Sequence, residues 1–497
     1  MAEQSMRRVA IIGGVRTPFC RAYTSYSELT NLDMMTTVLN GLVARFELEG
    51  EYIDEVFGGA VVTHSKDWNL TREAVIGTEL SPSTPGITMM QACGTSLQAA
   101  MTVGAKIATG QIDSGIAVGA DSISDSPIVF KRKFAQRLAK VTRARSLPDR
   151  FKVFKGFSFG ELAPNPPSVN EPRTGLSMGQ HCELMAQEWK IPREEQDLLA
   201  FESHRRAAQA YDDGFMDDLL VPCAGVFRDN NIREDMDLDK ISTLKTVFEK
   251  SAQGTLTAAN ATPLTDGAAA VLLASEDWAK ERDLPVLAYL SHARSVALDF
   301  VAGEGLLMAP TIAVAKLLEK ADITLQDFDY YEIHEAFAAQ VLSTLRAWES
   351  ASYCKQVLGR DTPLGSIDRS KMNVRGSSIA CGHPFAATGA RILGTLAKQI
   401  SLNGGGRGLI SVCTAGGMGV AAIVEGVDAA NGRATSDTNG QSDARIVPVE
   451  TISAESSEPD DTDLSDDTES SNDTEHSNDN EAPRPESAPK RSDSDDE

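Results

Sequence analysis

The 497-residue sequence lacks several patterns that define common classes of protein. No apolar run approaches the roughly 20 residues of a membrane-spanning helix, which argues against an integral membrane protein. No Cys-x-x-Cys pair or other metal-ligand spacing occurs, and no Walker loop or Gly-x-Gly-x-x-Gly turn follows a strand-like segment. We therefore expect no metal ion and no nucleotide cofactor that is bound permanently.

Cysteine is scarce and scattered. Seven cysteines in a chain of this length do not suggest a disulfide framework, so we expect reduced thiols in a soluble, cytoplasmic protein. A strand-like segment begins within the first ten residues, which leaves no room for a signal peptide.

The formal net charge of −24 is unevenly distributed. Residues 428–497 carry −16 of it and are poor in apolar side chains, which predicts a disordered acidic tail. The remaining 427 residues are only mildly acidic, and we expect no nucleic-acid partner.

The hydrophobic pattern predicts an α/β fold with an insertion. Apolar strands alternate with helical segments in the first part of the chain and again toward its end, where "GVAAIVEGV" is typical of an edge or hairpin strand. Between them lies a largely helical stretch that begins with the basic segment Lys131–Lys155, which holds ten Lys and Arg and one Asp. The predicted parts are a first α/β domain (1–125 and 255–284), an inserted domain (126–254), a second α/β domain (285–427) and the tail (428–497).

The two α/β parts share a local pattern. Ala-Cys-Gly leads into a helix of small residues at Cys93 and again at Cys381, and an apolar strand follows each helix. Two packed copies of one fold would bring two helix N-termini to a shared centre. We expect Cys381 itself to pack as a small residue in a turn.

Four short stretches could carry chemistry: "QACGTS" with Cys93, "IHEAFAAQ" with His334, "ACGHPFAATGARI" with His383 and "SVCTAGGMG" with Cys413. Each has an ordinary explanation as a core cysteine, a hydrogen-bonded histidine or a glycine turn. Together they suit thioester chemistry. A thiolate nucleophile needs an imidazole base, a carbanion or enolate needs a second acid, and oxyanions need N–H donors.

In order and approximate spacing, these stretches resemble the four catalytic loops of the thiolase family, and the resemblance covers about residues 7–427. It implies the thiolase fold: two duplicated α/β core domains in an α-β-α-β-α arrangement, with an inserted, largely helical loop domain. It also implies CoA and acyl-CoA as substrates, no permanently bound cofactor, and a homodimer or tetramer.

The resemblance also implies catalytic roles. Cys93 corresponds to the acylated nucleophile, His383 to its base and a donor to the substrate thioester oxygen, and Cys413 to the second acid/base. The backbone N–H groups of Cys93 and Ala415 correspond to an oxyanion hole. Many members carry Gly at the position of Ala415, but the N–H group is unaffected by that change.

One motif departs from the commonest family pattern. His334 stands where many thiolases have an Asn that holds a water in the other oxyanion hole, so its imidazole either donates directly or positions that water differently. The family resemblance also suggests, more weakly, that four residues contact the bound CoA: Met178, His181, Thr262 and Phe337.

His-Glu-Ala-Phe and the basic segment Lys131–Lys155 resemble the branch that contains the β subunits of fatty-acid oxidation complexes. That branch implies a 3-ketoacyl-CoA thiolase of fatty-acid β-oxidation with a hydratase/dehydrogenase α-type partner. The basic segment has four interpretations: solvated helix faces, attraction of CoA, docking of that partner, or peripheral contact with an anionic membrane.

Three other functions remain open at this point. An acetyl-CoA C-acetyltransferase acting on acetoacetyl-CoA would use the same residues. A ketoacyl synthase shares the Cys-His-His set but lacks a second catalytic cysteine, so Cys413 argues against it. A non-catalytic CoA-binding scaffold subunit is the third alternative. It would be favoured if one of the catalytic positions were lost, but all of them are present.

Overall fold

The computed structural model describes residues 6–165 and 168–430, so nearly all of the predicted acidic tail lies outside the described residues. The strands are β1 Ala10–Arg16, β2 Cys20–Arg21, β3 Glu55–Gly59, β4 Gly86–Thr88, β5 Ser114–Asp121, β6 Val129–Phe130, β7 Pro164–Asn165, β8 Thr265–Ala274, β9 Ala288–Ala297, β10 Tyr330–Ile333, β11 Arg407–Thr414 and β12 Met418–Glu425. The helices are α1 Asn31–Phe46, α2 Leu70–Ile76, α3 Thr95–Ala108, α4 Arg132–Arg143, α5 Leu147–Lys152, α6 Met178–Glu188, α7 Arg193–Asp212, α8 Leu238–Ser242, α9 Glu276–Glu281, α10 Ala309–Ala321, α11 Ala338–Glu349, α12 Ala351–Gln356, α13 Ser378–Cys381, α14 Thr388–Leu402 and α15 Val427–Ala430.

The large sheet consists of two halves that are built alike. In the first half β1 pairs antiparallel with β8, β8 antiparallel with β5, and β5 parallel with β3. The second half repeats this order, because β9 pairs antiparallel with β12, β12 antiparallel with β11, and β11 parallel with β10. The halves join where β1 pairs with β9 at Ala10 and Ile11. The predicted duplication is thereby confirmed.

Helices α3 and α14 lie between the two halves. Helix α3 contacts β3, β5 and β9, and α14 contacts β1, β8 and β11. Their apolar side chains, among them Leu97, Val103, Ile392 and Leu396, belong to one buried cluster with both halves. Helices α1 and α2 cover the outer face of the first half and α10 that of the second. This is the predicted α-β-α-β-α arrangement.

Glycines let this central layer pack closely. A Cβ added at Gly14 of β1 would lie 3.0 Å from the Cα of Gly394 in α14. A Cβ at Gly389 would lie only 2.3 Å from the backbone N of Leu97 in α3. Larger residues would force these elements apart, so Gly14 and Gly394 let α14 lie directly on β1, and Gly389 lets the N-terminal ends of α3 and α14 come into direct contact.

Of the two alternatives predicted for the last strand-like segment, the hairpin is confirmed and the edge position is wrong. Strand β12, in the segment expected to be an edge or hairpin strand, does form a hairpin with β11, but it lies inside the sheet. Its other side pairs with β9 from Met418 to Glu425. Hydrophobicity alone does not show a second partner that comes from about 125 residues earlier in the chain. The inserted stretch holds α4–α8 and the short β6–β7 pair.

Candidate active site

Cys93 lies in a tight 3₁₀ turn, Ala92–Gly94, directly before α3. Ala92 adopts a left-handed conformation with φ of 45°, which is uncommon for a residue with a side chain and costs of order 1–3 kcal/mol. The turn is held by Thr95, whose hydroxyl donates to the Ala92 carbonyl at 2.7 Å and accepts from the Gln91 N–H at 2.9 Å. The thiol is therefore fixed, and Cys93 is only 8% exposed.

His383 approaches Cys93 from the loop that precedes α14. Its Nε2 lies 3.1 Å from the Cys93 Sγ, and its Nδ1 contacts the Thr388 hydroxyl. When Nδ1 carries the proton and donates to Thr388, Nε2 is left to accept from the thiol. This is the geometry that a general base needs. Gly382, with φ of 103°, provides a backbone conformation that side-chain-bearing residues rarely adopt.

The His383 loop is fastened to the first half of the fold by Asp121, at the end of β5. One carboxylate oxygen accepts from the Ala386 N–H at 2.7 Å, and the other accepts from the N–H groups of Val61 and Val62. Asp121 is completely buried, so it links three backbone segments where water cannot compete. Sequence reasoning did not single out this residue.

His334 follows β10 and is completely buried. Its Nδ1 lies 2.9 Å from the Ser378 hydroxyl, whereas its Nε2 has no hydrogen-bond partner within the part of the chain that the structure describes. The ring centroids of His334 and His383 are 4.2 Å apart. The Cys93 Sγ and one nitrogen of each ring lie within 4.8 Å of one another, so three of the predicted residues meet at one point.

Glu335, next to His334, fixes the strand end and does not join this group. Its carboxylate accepts from the Ser203 hydroxyl and the Asn373 amide, each at 2.7 Å. Asn373 also exchanges two hydrogen bonds with the backbone of Ile333. The two residues of the His-Glu pair therefore have different roles: His334 faces the cysteine, and Glu335 anchors the loop.

Cys413, near the end of β11, is 1% exposed and is followed by a turn through Gly416 and Gly417, both with positive φ. Burial raises the pKa of Cys93, and the backbone N–H of Ala415, which faces the Cys93 sulfur, opposes part of that rise. The next N–H, of Gly416, donates to the carboxylate of Glu171 at 2.7 Å. Glu171 comes from the inserted stretch, and no sequence motif pointed to it.

Burial sets the protonation states of the site. It lowers the pKa of His383 to about 3, with a further contribution from Arg391. Burial raises the pKa of Cys93 to about 12, although the N–H groups of Ala415 and Cys93 oppose that rise. Burial also raises the pKa of Cys413 well above its usual value. At neutral pH the site therefore holds two thiols and a neutral imidazole that can accept a proton.

Cys93, His334 and His383 are also the one group in the described part of the chain with the spacing of metal ligands. Thiolate and imidazole are donors that zinc accepts. In this arrangement, however, the Cys93 sulfur and His383 Nε2 are already hydrogen-bonded to each other, which suits proton transfer between them.

The four residues predicted at the CoA lie in or beside the apolar cluster that contains Cys413. Met178 and Phe337 belong to, or pack against, the apolar cluster that contains Cys413. Thr262 donates its N–H to the Ala336 carbonyl at 3.1 Å, directly beside Phe337. The ring of His181 contacts Phe300 of the same cluster edge-on, at 5.9 Å between centroids.

A cavity of about 370 Å³ adjoins this region. Its lining includes Ala261 and Pro263, on either side of Thr262. Its charged side chains are the basic Arg21, Arg233 and Lys240 and the acidic Asp235 and Asp237. No sequence pattern singled out these basic residues, because their common position depends on the tertiary fold.

A buried cysteine paired with a neutral imidazole, beside backbone N–H donors and a second thiol, defines an acyltransferase that works through a cysteine. The comparisons agree. Residues 9–277 match the family model of the thiolase N-terminal domain, and residues 284–426 match that of the thiolase C-terminal domain. The chain belongs to the thiolase family.

Similar proteins include the 3-ketoacyl-CoA thiolases of Aeromonas salmonicida (strain A449) and Shewanella sp. (strain W3-18-1), 43% and 42% identical over 424 residues. Each alignment covers 84% of this chain and 97% of the relative. Among solved structures, the acetyl-CoA acetyltransferase of Bacillus anthracis is 30% identical with a TM-score of 0.70, over 86% of this chain and 100% of that one.

Proposed function

We propose that the chain catalyses the CoA-dependent cleavage of 3-ketoacyl-CoA to acetyl-CoA and an acyl-CoA shortened by two carbons, as a step of fatty-acid β-oxidation. One observation carries the mechanism: the 3.1 Å contact between His383 Nε2 and the Cys93 thiol, in a site that also holds Cys413. The names of the similar proteins support the choice of substrate.

In the first half-reaction the Cys93 thiol transfers its proton to His383 Nε2 while the sulfur attacks the 3-keto carbon. The N–H groups of Cys93 and Ala415 stabilise the oxyanion that forms. The bond between C2 and C3 then breaks, and its electron pair passes to C2 of the leaving acetyl-CoA enolate. Cys413 protonates that carbon, so the acyl group stays on Cys93.

In the second half-reaction the thiol of free CoA gives its proton to the Cys413 thiolate and attacks the acyl thioester on Cys93. The tetrahedral intermediate expels the Cys93 thiolate, which recovers its proton from His383. The product is the shortened acyl-CoA, and both cysteines and the histidine return to their starting states.

His334 is the second oxyanion donor in this proposal. Its Nε2 is buried and has no hydrogen-bond partner among the described residues, and His334 belongs to the same group as His383 and Cys93. An N–H at this position would donate directly to the thioester oxygen of the substrate, where charge develops as the enolate leaves. His383 is the other donor to that oxygen.

For CoA, Met178, His181, Thr262 and Phe337 would form the apolar wall near the reacting thioester. In the adjoining cavity Arg21 and Arg233 carry the charge that CoA phosphates require, whereas Lys240 already faces the carboxylate of Asp237 at 3.7 Å. No permanently bound cofactor takes part, since every proton in the proposed cycle moves between the substrates, the two cysteines and His383.

The test is thiolysis of acetoacetyl-CoA and of a long-chain 3-ketoacyl-CoA, with mass analysis of the acylated peptide. Cys93→Ala should abolish both turnover and acylation. Cys381→Ala is the matched control, since Cys381 holds the equivalent place in the second half and should be dispensable. Sustained thiolysis by Cys93→Ala would refute the mechanism.

The similarity to the Bacillus anthracis acetyl-CoA acetyltransferase supports a second candidate, an acetyl-CoA C-acetyltransferase that acts on acetoacetyl-CoA. The same assay separates the two. Faster cleavage of the long chain favours β-oxidation, whereas activity on acetoacetyl-CoA alone favours the acetyltransferase.

We further propose a homodimer or tetramer, a hydratase/dehydrogenase α-type partner, and contact of the basic segment with an anionic membrane. Within the described residues no helix is both long and apolar enough to cross a bilayer, so such contact would be peripheral. Its support is the exposure of aromatic side chains within the segment and just after it: Phe151 is 77% exposed, and Phe159, four residues beyond Lys155, is 84% exposed. Sedimentation with phosphatidylglycerol vesicles, but not with phosphatidylcholine vesicles, is the expected result, and Phe151→Asp should reduce it.

A further inference from the structure

Arg391, in the first turn of α14, is a buried cation next to the active site. Its Nη2 donates to the Ser378 hydroxyl at 2.7 Å and to the Ser377 hydroxyl at 3.2 Å. Its Nη1 lies 3.8 Å from the carboxylate of Glu332, which is also buried and precedes His334 by two residues. The guanidinium therefore connects α14, α13 and the strand that carries His334.

These contacts decide which way the Ser378 hydroxyl points. A guanidinium can only donate, so the Ser378 oxygen must accept from Arg391. The one hydrogen of Ser378 is then free for the His334 Nδ1 at 2.9 Å, and no other acceptor for it is seen among the contacts of the described residues. An imidazole that accepts at Nδ1 and is neutral carries its proton on Nε2.

We propose that Arg391, acting through Ser378, holds His334 in the tautomer that carries hydrogen on Nε2. His334 thereby presents a permanent N–H to the substrate thioester oxygen. The inference rests on the oxyanion role proposed above for His334. Arg391 and Ser378 are positioning residues, because neither one touches the substrate.

The opposite tautomer would have two faults. With the hydrogen on Nδ1, the Ser378 oxygen would use both of its lone pairs as acceptors, for Arg391 and for His334, and its own hydrogen would be left without an acceptor among the described residues. Nε2 would then present a lone pair to the substrate oxygen at the moment when that oxygen becomes negative. The buried positive charge of Arg391 also disfavours protonation of His334, whose pKa is lowered first by burial and then by His383 and Arg391.

The first experiment compares Ser378→Ala with Ser377→Ala. Ser377 contacts the same guanidinium but not His334, so its loss should change kcat by less than about threefold, whereas Ser378→Ala should lower kcat about 10- to 100-fold with little change in KM. Ser378→Thr, which retains the hydroxyl, should recover most of that activity. Equal effects of the two alanine variants would overturn the proposal.

A second comparison uses His334→Asn, whose amide has a donor but no tautomers. In that background Ser378→Ala should cost less than about threefold, because there is no tautomer left to fix. A full 10- to 100-fold loss in both backgrounds would show that Ser378 acts in another way, and this would contradict the proposal.

The tautomer of His334 can also be determined by a measurement that does not depend on enzyme activity. Nitrogen NMR of the resting protein labelled with ¹⁵N-histidine distinguishes protonated from unprotonated ring nitrogens, and the His334 signals are those lost in His334→Asn. We expect an unprotonated Nδ1 in the wild type and a mixture of tautomers in Ser378→Ala. A protonated Nδ1 in the wild type would refute the inference even if thiolysis is efficient. The expected tautomer in a protein without thiolase activity would instead refute the proposed function.

Discussion

Gly119 gives a direct test of how precisely the His383 loop must be placed. A Cβ at this position of β5 would lie 2.0 Å from the carbonyl oxygen of Ala386 and 2.4 Å from its carbon. Both are backbone atoms, so the loop must retreat by roughly 1 Å or more to reach an ordinary contact distance. Ala386 is three residues from His383 and is held by Asp121, so this movement would strain that hydrogen bond and displace the imidazole.

We expect Gly119→Ala to lower kcat about 100-fold, the effect that a displacement of about 1 Å has on a catalytic group. Overpacking should also reduce the free energy of unfolding by about 1–3 kcal/mol. Gly104→Ala in α3 is the control, because its Cβ would meet flexible side chains of Leu290 and Val9 at 3.3 and 3.4 Å. The assay is steady-state thiolysis, with urea unfolding in parallel. Wild-type turnover and stability in Gly119→Ala would refute the reasoning.

Three further predictions concern charge and protonation. Glu171→Ala removes the acceptor of the Gly416 N–H, and we expect about a tenfold lower kcat in thiolysis at unchanged KM, because the turn that carries Ala415 loses its anchor. Alkylation of Cys93 by iodoacetamide should accelerate with pH without a plateau below about pH 9, since the pKa of the thiol is raised to about 12; a plateau near neutrality would indicate a thiolate–imidazolium pair instead. Burial, with the charge of Arg233, lowers the pKa of His204 to about 4. In the unfolded chain this histidine has a pKa near 6.5 and binds a proton below that pH, whereas in the folded protein it stays neutral down to about pH 4. Protonation therefore favours the unfolded state, and the residue destabilises the fold as the pH falls below about 6.5. Relative to His204→Gln, the wild type should therefore lose roughly 2 kcal/mol of unfolding free energy between pH 7 and pH 5 in urea titrations, and no change in that difference would contradict the shift.

The sequence was informative where function and local pattern coincide. Cys93, His334 and His383 each stand at a boundary between a strand or turn and a helix, and such boundaries meet at the centre of a duplicated α/β fold. Their convergence could be predicted from four short motifs. The contact between His383 and Thr388 could also be predicted from the sequence, because the two residues are five positions apart in one motif.

Other parts of the site could not be predicted in this way. Asp121 contacts Ala386 across 265 positions, and Glu171 contacts Gly416 across 245 positions. A single carboxylate in an unremarkable segment gives no signal of such partners. The interior position of β12 was missed for the same reason, since its pairing with β9 depends on how the second half closes on itself.

The duplication also explains why the site is asymmetric although the fold is nearly symmetric. Cys93 lies in a turn before its helix, whereas Cys381 ends α13 and is followed by Gly382 with φ of 103°. That glycine turns the chain, so His383 rather than Cys381 reaches the other half. The sulfur of Cys381 lies instead 3.6 Å from the Gly382 carbonyl. One copy thus supplies the nucleophile and the other supplies the base, which means that neither half could form this site alone.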